Sequence, residues 1–401
     1  MRKGPRRRGV AVGICVFAGL VGAACSSGSG PNTALTSTSS RDVVTTLRAG
    51  VMTSVTTPPA TTPPATNPLA TTPPTTTSAE TTPETTPPAT STTVVAAPDV
   101  TPRPSAGCAA GGATPGETLL VHSTATSTGR YLEALPSVYN GTTPLPLVID
   151  LHGYEETIEV HRLLSNMVAT GQLHGFVVVL PQIDNIVPRW DATIGSTDVG
   201  FITSVLDRVE ASRCIDQARV YVAGMSNGAF MTSAVACQLS DRIAAAAPVA
   251  GIRDPDGCTF DRAVPVIAFH GTADTFVAYT GGLGASVAHL PTDNGGTLGT
   301  SAVTSGGPSI EDIAAAWAHR NGCESTPPVE TAVAPDVELL NYGCHAGADV
   351  QLYRIAGGGH AWPGSQFSRS IESIVGHTTM NIDANELIWA FFVAHPLRTT
   401  R

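Results

Sequence analysis

From residue 145 onward, short continuous apolar runs alternate with segments whose apolar residues recur at helical spacing. The runs LPLVIDL (145–151), GFVVVLP (175–181), ARVYVAG (218–224), RIAAAAPVAG (242–251), VPVIAFHG (264–271) and DVQLYRI (349–355) are mainly apolar, the last being the most polar of them. A strand that shows no polar face is covered on both sides, so these read as buried strands. Between them, 155–172, 198–211, 227–239 and 308–321 show the helical period, and a last helix covers roughly 383–394. Strand–helix alternation of this kind predicts the α/β class: a mostly parallel sheet with helices on both faces. Two earlier stretches, ETLLVHS and RYLEALP, add antiparallel edge strands, and no internal repeat is visible.

The N-terminal quarter is of another kind. MRKGPRRRGVAVGICVFAGLVGAAC places basic residues before a short apolar run and small residues, the layout of a signal peptide over 1–24. The run is too short to span a membrane comfortably. LVGAACSSGSG resembles a bacterial lipobox, with Gly22 where such boxes prefer Leu, and makes Cys25 the expected lipidated residue. A plain signal peptide cut near Ala24 is the alternative, and Arg7-Arg8 also allows twin-arginine export. Residues 25–106 are dominated by Thr, Pro, Ser and Ala, as in TTPPATTPPATNPLATTPPTTT. So little here can be buried that ordering entropy is not offset, and the segment reads as an extended stalk. Residues 107–401 remain as one large domain, held at the cell envelope if Cys25 carries lipid.

Charge and residue counts then exclude several chemistries. The net charge is −10 from 22 basic and 32 acidic residues, and removing a leader with five basic residues leaves about −15. That argues against a nucleic-acid partner. Lys3 is the only lysine, so the mature chain has none for a P-loop, a Schiff base or a Ser-Lys pair. No H-E-x-x-H or similar spacing occurs among the 11 histidines, and no metal or cofactor is expected. Beyond the leader, Cys108, Cys214, Cys237, Cys258, Cys323 and Cys344 suggest three disulfides in an exported domain. Six cysteines allow 15 connectivities; Cys323 and Cys344 bracket a hairpin-like segment and are the expected pair.

The pentad Gly224-Met225-Ser226-Asn227-Gly228 falls where the strand RVYVA meets the helical segment NGAFMTSAVACQL. A serine on a tight strand-to-helix turn between two glycines has the setting of a nucleophile elbow. Its hydroxyl needs a base, and the base an orienting carboxylate, in the chain order Ser, Asp or Glu, His. Asp274 follows the strand VPVIAF in HGTADTFVAY, and His360 follows VQLYRI in AGGGHAWPG. Parallel strands put all three at one sheet edge, where open α/β sheets bind ligands. His270 reads instead as a turn residue, His377 and His395 as surface histidines near the C-terminus, and Asp254 and Asp256 as DPDG turn residues. The backbone N–H groups of Asn227 and of Tyr154, in DLHGYEET, are the expected oxyanion donors. Trp190 and Trp362 are candidates for lining a substrate pocket, or equally for core packing.

LHGY, DVGFI, RVYVAGMSNGAFMT, APVAG, FHGTAD and GGGHAWPG, in that order, resemble esterases of the secreted polyhydroxybutyrate depolymerase and feruloyl esterase type. These are α/β-hydrolases similar to carbohydrate esterase family 1, a group that includes mycobacterial esterase lipoproteins. The resemblance runs from roughly Gly107 to Pro396 and implies Ser226, Asp274 and His360 as a triad. It also implies pairing Cys237 with Cys258, which leaves Cys108 with Cys214. The expected activity is hydrolysis of hydroxyalkanoate, feruloyl or acetyl-type esters through an acyl-enzyme. An acyltransferase on the same site and a catalytically silent glycan-binding lipoprotein are the alternatives. The resemblance does not fix the long segment 275–307, which follows Asp274 and is expected to border the pocket.

Overall fold

A computed structural model describes residues 101–398 apart from 111, 260–261 and 325–326. The leader, Cys25 and the stalk up to residue 100 therefore lie outside the described residues.

Ten strands form one sheet: β1 Gly116–Ser123, β2 Thr128–Leu135, β3 Leu145–Leu151, β4 Val177–Ile183, β5 Ile215–Met225, β6 Ala245–Val249, β7 Val266–Gly271, β8 Val329–Ala334, β9 Val337–Tyr342 and β10 Val350–Ile355. Their spatial order is β1-β2-β4-β3-β5-β6-β7-β10-β9-β8. The six strands from β4 to β10 in that order run parallel, and β1–β2 and β9–β8 are antiparallel extensions at the two edges. Seven helices that matter for packing are α1 Ile158–Ser165, α2 Met167–His174, α3 Thr197–Ser212, α4 Asn227–Gln238, α5 Ile310–Arg320, α6 Gln366–Ser370 and, after the short α7 Glu372–Val375, α8 Ala384–Ala394.

The parallel strands divide their side chains by period 2 between two cores. Leu147, Ile149, Val220, Val222, Val266 and Leu352 face one layer with α3, α4 and α5. Val148, Tyr221, Ala223, Ile267, Phe269 and Tyr353 face the other with α1, α2 and α8. Both layers are apolar, which is why these strands show no polar alternation. Their summed topology is that of an α/β-hydrolase sheet.

Some boundaries differ from the sequence reading. The helical stretch 155–172 is two helices, because Asn166 takes the left-handed conformation (φ 53°, ψ 20°) and ends α1 where α2 begins. Asn tolerates that region better than most residues, so the apolar period continues while the axis breaks. β8 is exposed along nearly its whole length, so it carries no periodic signal and was legible only as the hairpin between Cys323 and Cys344. The domain's contacts begin ahead of Gly107: Arg103 N–H donates to Asp216 Oδ1 at 2.8 Å, and Ser105 N–H to Ile215 O at 2.9 Å. Three disulfides join Cys108–Cys214, Cys237–Cys258 and Cys323–Cys344. They are the pairs expected above, and they fit an exported protein.

Candidate active site

β5 ends at Met225 and α4 starts at Asn227, so Ser226 is the whole turn between strand and helix. It sits at φ 57°, ψ −119°, a conformation that costs a non-glycine residue energy and that surrounding structure must enforce. Two features enforce it. Ser226 N–H donates to Val249 O of β6 at 2.9 Å. A side chain at Gly228 would lie 2.1 Å from Leu151 O, and one at Gly224 2.8 Å from the same atom, so only glycines let α4 approach β3. The turn lifts the serine to the C-terminal sheet edge, partly buried but not sealed in the core.

Asp274 and His360 occupy that same edge. β7 and β10 are parallel neighbours ending in register at Gly271 and Ile355. Their following loops are tied together by Ala273 N–H to Gly358 O at 2.8 Å and Gly357 N–H to Thr272 Oγ1 at 2.8 Å. Asp274 Oδ2 lies 2.7 Å from His360 Nδ1, and its Oδ1 accepts the N–H groups of Phe276 and Val277 at 2.8 and 2.9 Å. Burial pushes the Asp274 carboxyl up, but the charge of His360 and hydrogen bonds from His270 and His360 outweigh it and hold it well below the usual range. An ionised Oδ2 makes Nδ1 the protonated ring nitrogen, which leaves Nε2 as the basic one. The Phe276 ring stacks on the imidazole, with centroids 4.9 Å apart. Among the described residues no hydrogen bond joins Ser226 Oγ to Nε2; such contacts are often long until a substrate is bound.

The loop after β3 and the start of α4 bring the two expected amides to this edge. Asn227 N–H belongs to the first turn of α4, whose donors have no intrahelical partner. Asn227 also clamps Trp190: its Oδ1 accepts Trp190 N–H at 2.7 Å and its Nδ2 donates to Trp190 O at 3.1 Å. Trp190 Nε1 donates to His152 O at 3.0 Å, which locks the β3 loop to the β4 loop. Burial lowers His152 to about 4, so its ring stays neutral beside Trp190. Segment 275–307 reaches across to both loops. Pro291 O accepts Tyr154 Oη–H at 2.8 Å, and Asp293 binds Arg189 through two bonds of 2.6 and 2.9 Å.

Trp190 lines a cavity of about 340 Å³ with Ile194, Asn227, Phe230 and Arg253, whose guanidinium lies 4.0 Å from the Phe230 centroid. Trp362 does not line it. It is buried in the α8 layer with Nε1 donating to Asn385 Oδ1 at 2.9 Å, so its polar atom is spent on packing. His395 is likewise not a surface residue: it is buried, bound to Phe391 O and to Asp349 Oδ2 at 2.5 Å. Two participants escaped the sequence reading. His270 is more than a turn residue, because its Nε2 lies 3.3 Å from Asp274 Oδ2 as well as 2.9 Å from Val277 O. Its position four residues before the acid was the available signal. The other is a buried carboxylate–histidine cluster behind Tyr154, formed by Asp150, Glu156 and His161.

Fold and edge together define an α/β-hydrolase. No protein-family model matches the chain. It is 30% identical over 239 residues to feruloyl esterase B of Piromyces equi, an alignment covering 56% of this chain and 41% of that one. It is 39% identical over 115 residues to poly(3-hydroxyalkanoate) depolymerase C of Paucimonas lemoignei, covering 26% of this chain and 28% of that one. Among solved structures, an acetyl xylan esterase from Aspergillus awamori aligns with TM-score 0.47 and 15% identity over 69% of this chain and all (100%) of that one. The chain thus spans less than half the length of these curated relatives. Its sheet topology is that of an α/β-hydrolase, and its sequence is similar to parts of a feruloyl esterase and of a poly(3-hydroxyalkanoate) depolymerase.

Proposed function

We propose that the chain is an extracellular serine carboxylic-ester hydrolase working through an acyl-enzyme. The observation that carries this reading is the strained Ser226 turn at the sheet edge that also holds the buried His360–Asp274 pair. Ser226 Oγ attacks the ester carbonyl while His360 Nε2 takes its proton, and the oxyanion is met by the Tyr154 and Asn227 amides. The tetrahedral intermediate collapses, and the alcohol leaves with the proton from Nε2. Water then enters, gives a proton to Nε2 and attacks the acyl carbonyl. Collapse returns that proton to Ser226 and releases the acid. Asp274 fixes the tautomer and stabilises the imidazolium between the two proton transfers.

The relatives' names support hydroxyalkanoate, feruloyl or acetyl-type esters as the substrate class. The disulfides and the basic–apolar leader support export, and Cys25 is the proposed lipid anchor, with 25–106 as the stalk that spaces the domain from the membrane. A panel of p-nitrophenyl, feruloyl and hydroxybutyrate esters tests the activity. Hydrolysis of at least one is expected, with Ser226→Ala folded but slower by several orders of magnitude. Near-wild-type turnover in folded Ser226→Ala would defeat the mechanism.

A further inference from the structure

The Tyr154 amide can stabilise an oxyanion only if its peptide plane is fixed. That plane is shared with Gly153 O, and a planar trans peptide points its N–H opposite to its C=O. Gly153 O accepts from His152 Nδ1 at 2.8 Å and from Glu156 N–H at 3.3 Å. The other side of the same residue is held too: Gly153 N–H donates to Glu156 Oε2 at 2.7 Å. A side chain at residue 153 would come within 2.9 Å of the Glu156 carboxylate, so the glycine and the carboxylate fit as a pair.

Glu156 is itself held from behind. His161, fully buried in α1, donates from Nδ1 to Glu156 Oε2 at 2.9 Å and from Nε2 to Asp150 Oδ1 at 2.9 Å. Ser165 Oγ donates to Asp150 Oδ2 at 2.6 Å. Both ring nitrogens meet carboxylate oxygens, so the imidazole carries two protons. Burial opposes that charge, yet the two carboxylates prevail and raise His161 to about 10.

We infer that Glu156, anchored by His161 and Asp150, is a positioning residue that orients the Tyr154 N–H toward the oxyanion. This rests on the serine-hydrolase reading above. The cluster touches no reacting atom; it acts through the 153–154 peptide. Loss of one oxyanion donor, or its displacement by about 1 Å, costs on the order of 10²-fold in rate. Ground-state binding need not change.

The test uses the full chain, p-nitrophenyl acetate and a trifluoromethyl ketone, whose hemiketal adduct carries an oxyanion. Glu156→Ala should lower kcat about 10²-fold with KM nearly unchanged, and should weaken the ketone by a similar factor. Glu156→Gln keeps an oxygen for Gly153 N–H and should recover much of the loss. Wild-type kcat and ketone affinity in folded Glu156→Ala, beside an active wild type, would overturn the positioning role alone. A wild type that hydrolyses no ester would overturn the hydrolase reading and this inference with it. Loss of fold in both variants would assign the carboxylate to folding and also overturn the inference.

Discussion

At residue scale, the neighbours of each side chain decide what it can do. Asp274 turns Oδ2 to His360, with His270 Nε2 3.3 Å from the same atom, because Oδ1 is taken by the Phe276 and Val277 amides. Replacing it with Asn offers His360 a donor or a neutral acceptor in place of the carboxylate, and should cut kcat by about 10⁴ while leaving the fold in place. Since Asp274 is held ionised well below the usual carboxylate range, the acidic limb of kcat/KM should follow protonation of a single group, the base. A second carboxylate step on that limb, or an unchanged rate in Asp274→Asn, would mean that another acid orients His360. The three proposed triad positions were legible in the sequence because each lies in the turn or loop that follows an apolar run. Trp362 was not, since a tryptophan after a glycine-rich turn packs into a core or lines a cavity with the same composition. Glu156 and His161 were illegible for a different reason: their meaning depends on Asp150, which looks like any strand residue until α1 folds over it.

At the scale of elements, the elbow depends on how closely α4 can approach β3. An alanine at residue 228 would put its Cβ 2.1 Å from Leu151 O and 2.5 Å from His152 O, both backbone atoms that cannot yield cheaply. Gly228→Ala should therefore lose about 3 kcal/mol or more in urea unfolding. Stability near wild type would show that the turn is less constrained than its geometry implies. The junction of β3 and α1 makes a pH prediction. His161 is raised from 6.5 to about 10 in the fold, so its contribution is complete below about pH 6.5 and is lost as pH rises through about 10. Thermal unfolding of the wild type should fall over that alkaline window, and that of His161→Gln should fall less. Equal slopes would mean that His161 is not held charged. The elements themselves were legible where both faces are buried, as in β3, β5 and β7. They were lost where burial is absent, as in β8, or where one residue breaks a continuous period, as at Asn166.

On the scale of the whole molecule, the sheet gathers residues 134 positions apart, Ser226 to His360, at one edge through parallel strands alone. The disulfide Cys108–Cys214 ties the start of the domain to the head of β5, the strand whose far end leads into the elbow. No lysine lies within residues 101–398, so no lysine amine there competes with serine for a covalent label. The most direct measurement is to treat the folded protein with a fluorophosphonate and locate the adduct by peptide mass mapping. One adduct is expected, on Ser226, formed by the folded chain and absent from the denatured chain and from Ser226→Ala. An adduct on another residue, or none on a chain that hydrolyses esters, would contradict Ser226 as the nucleophile.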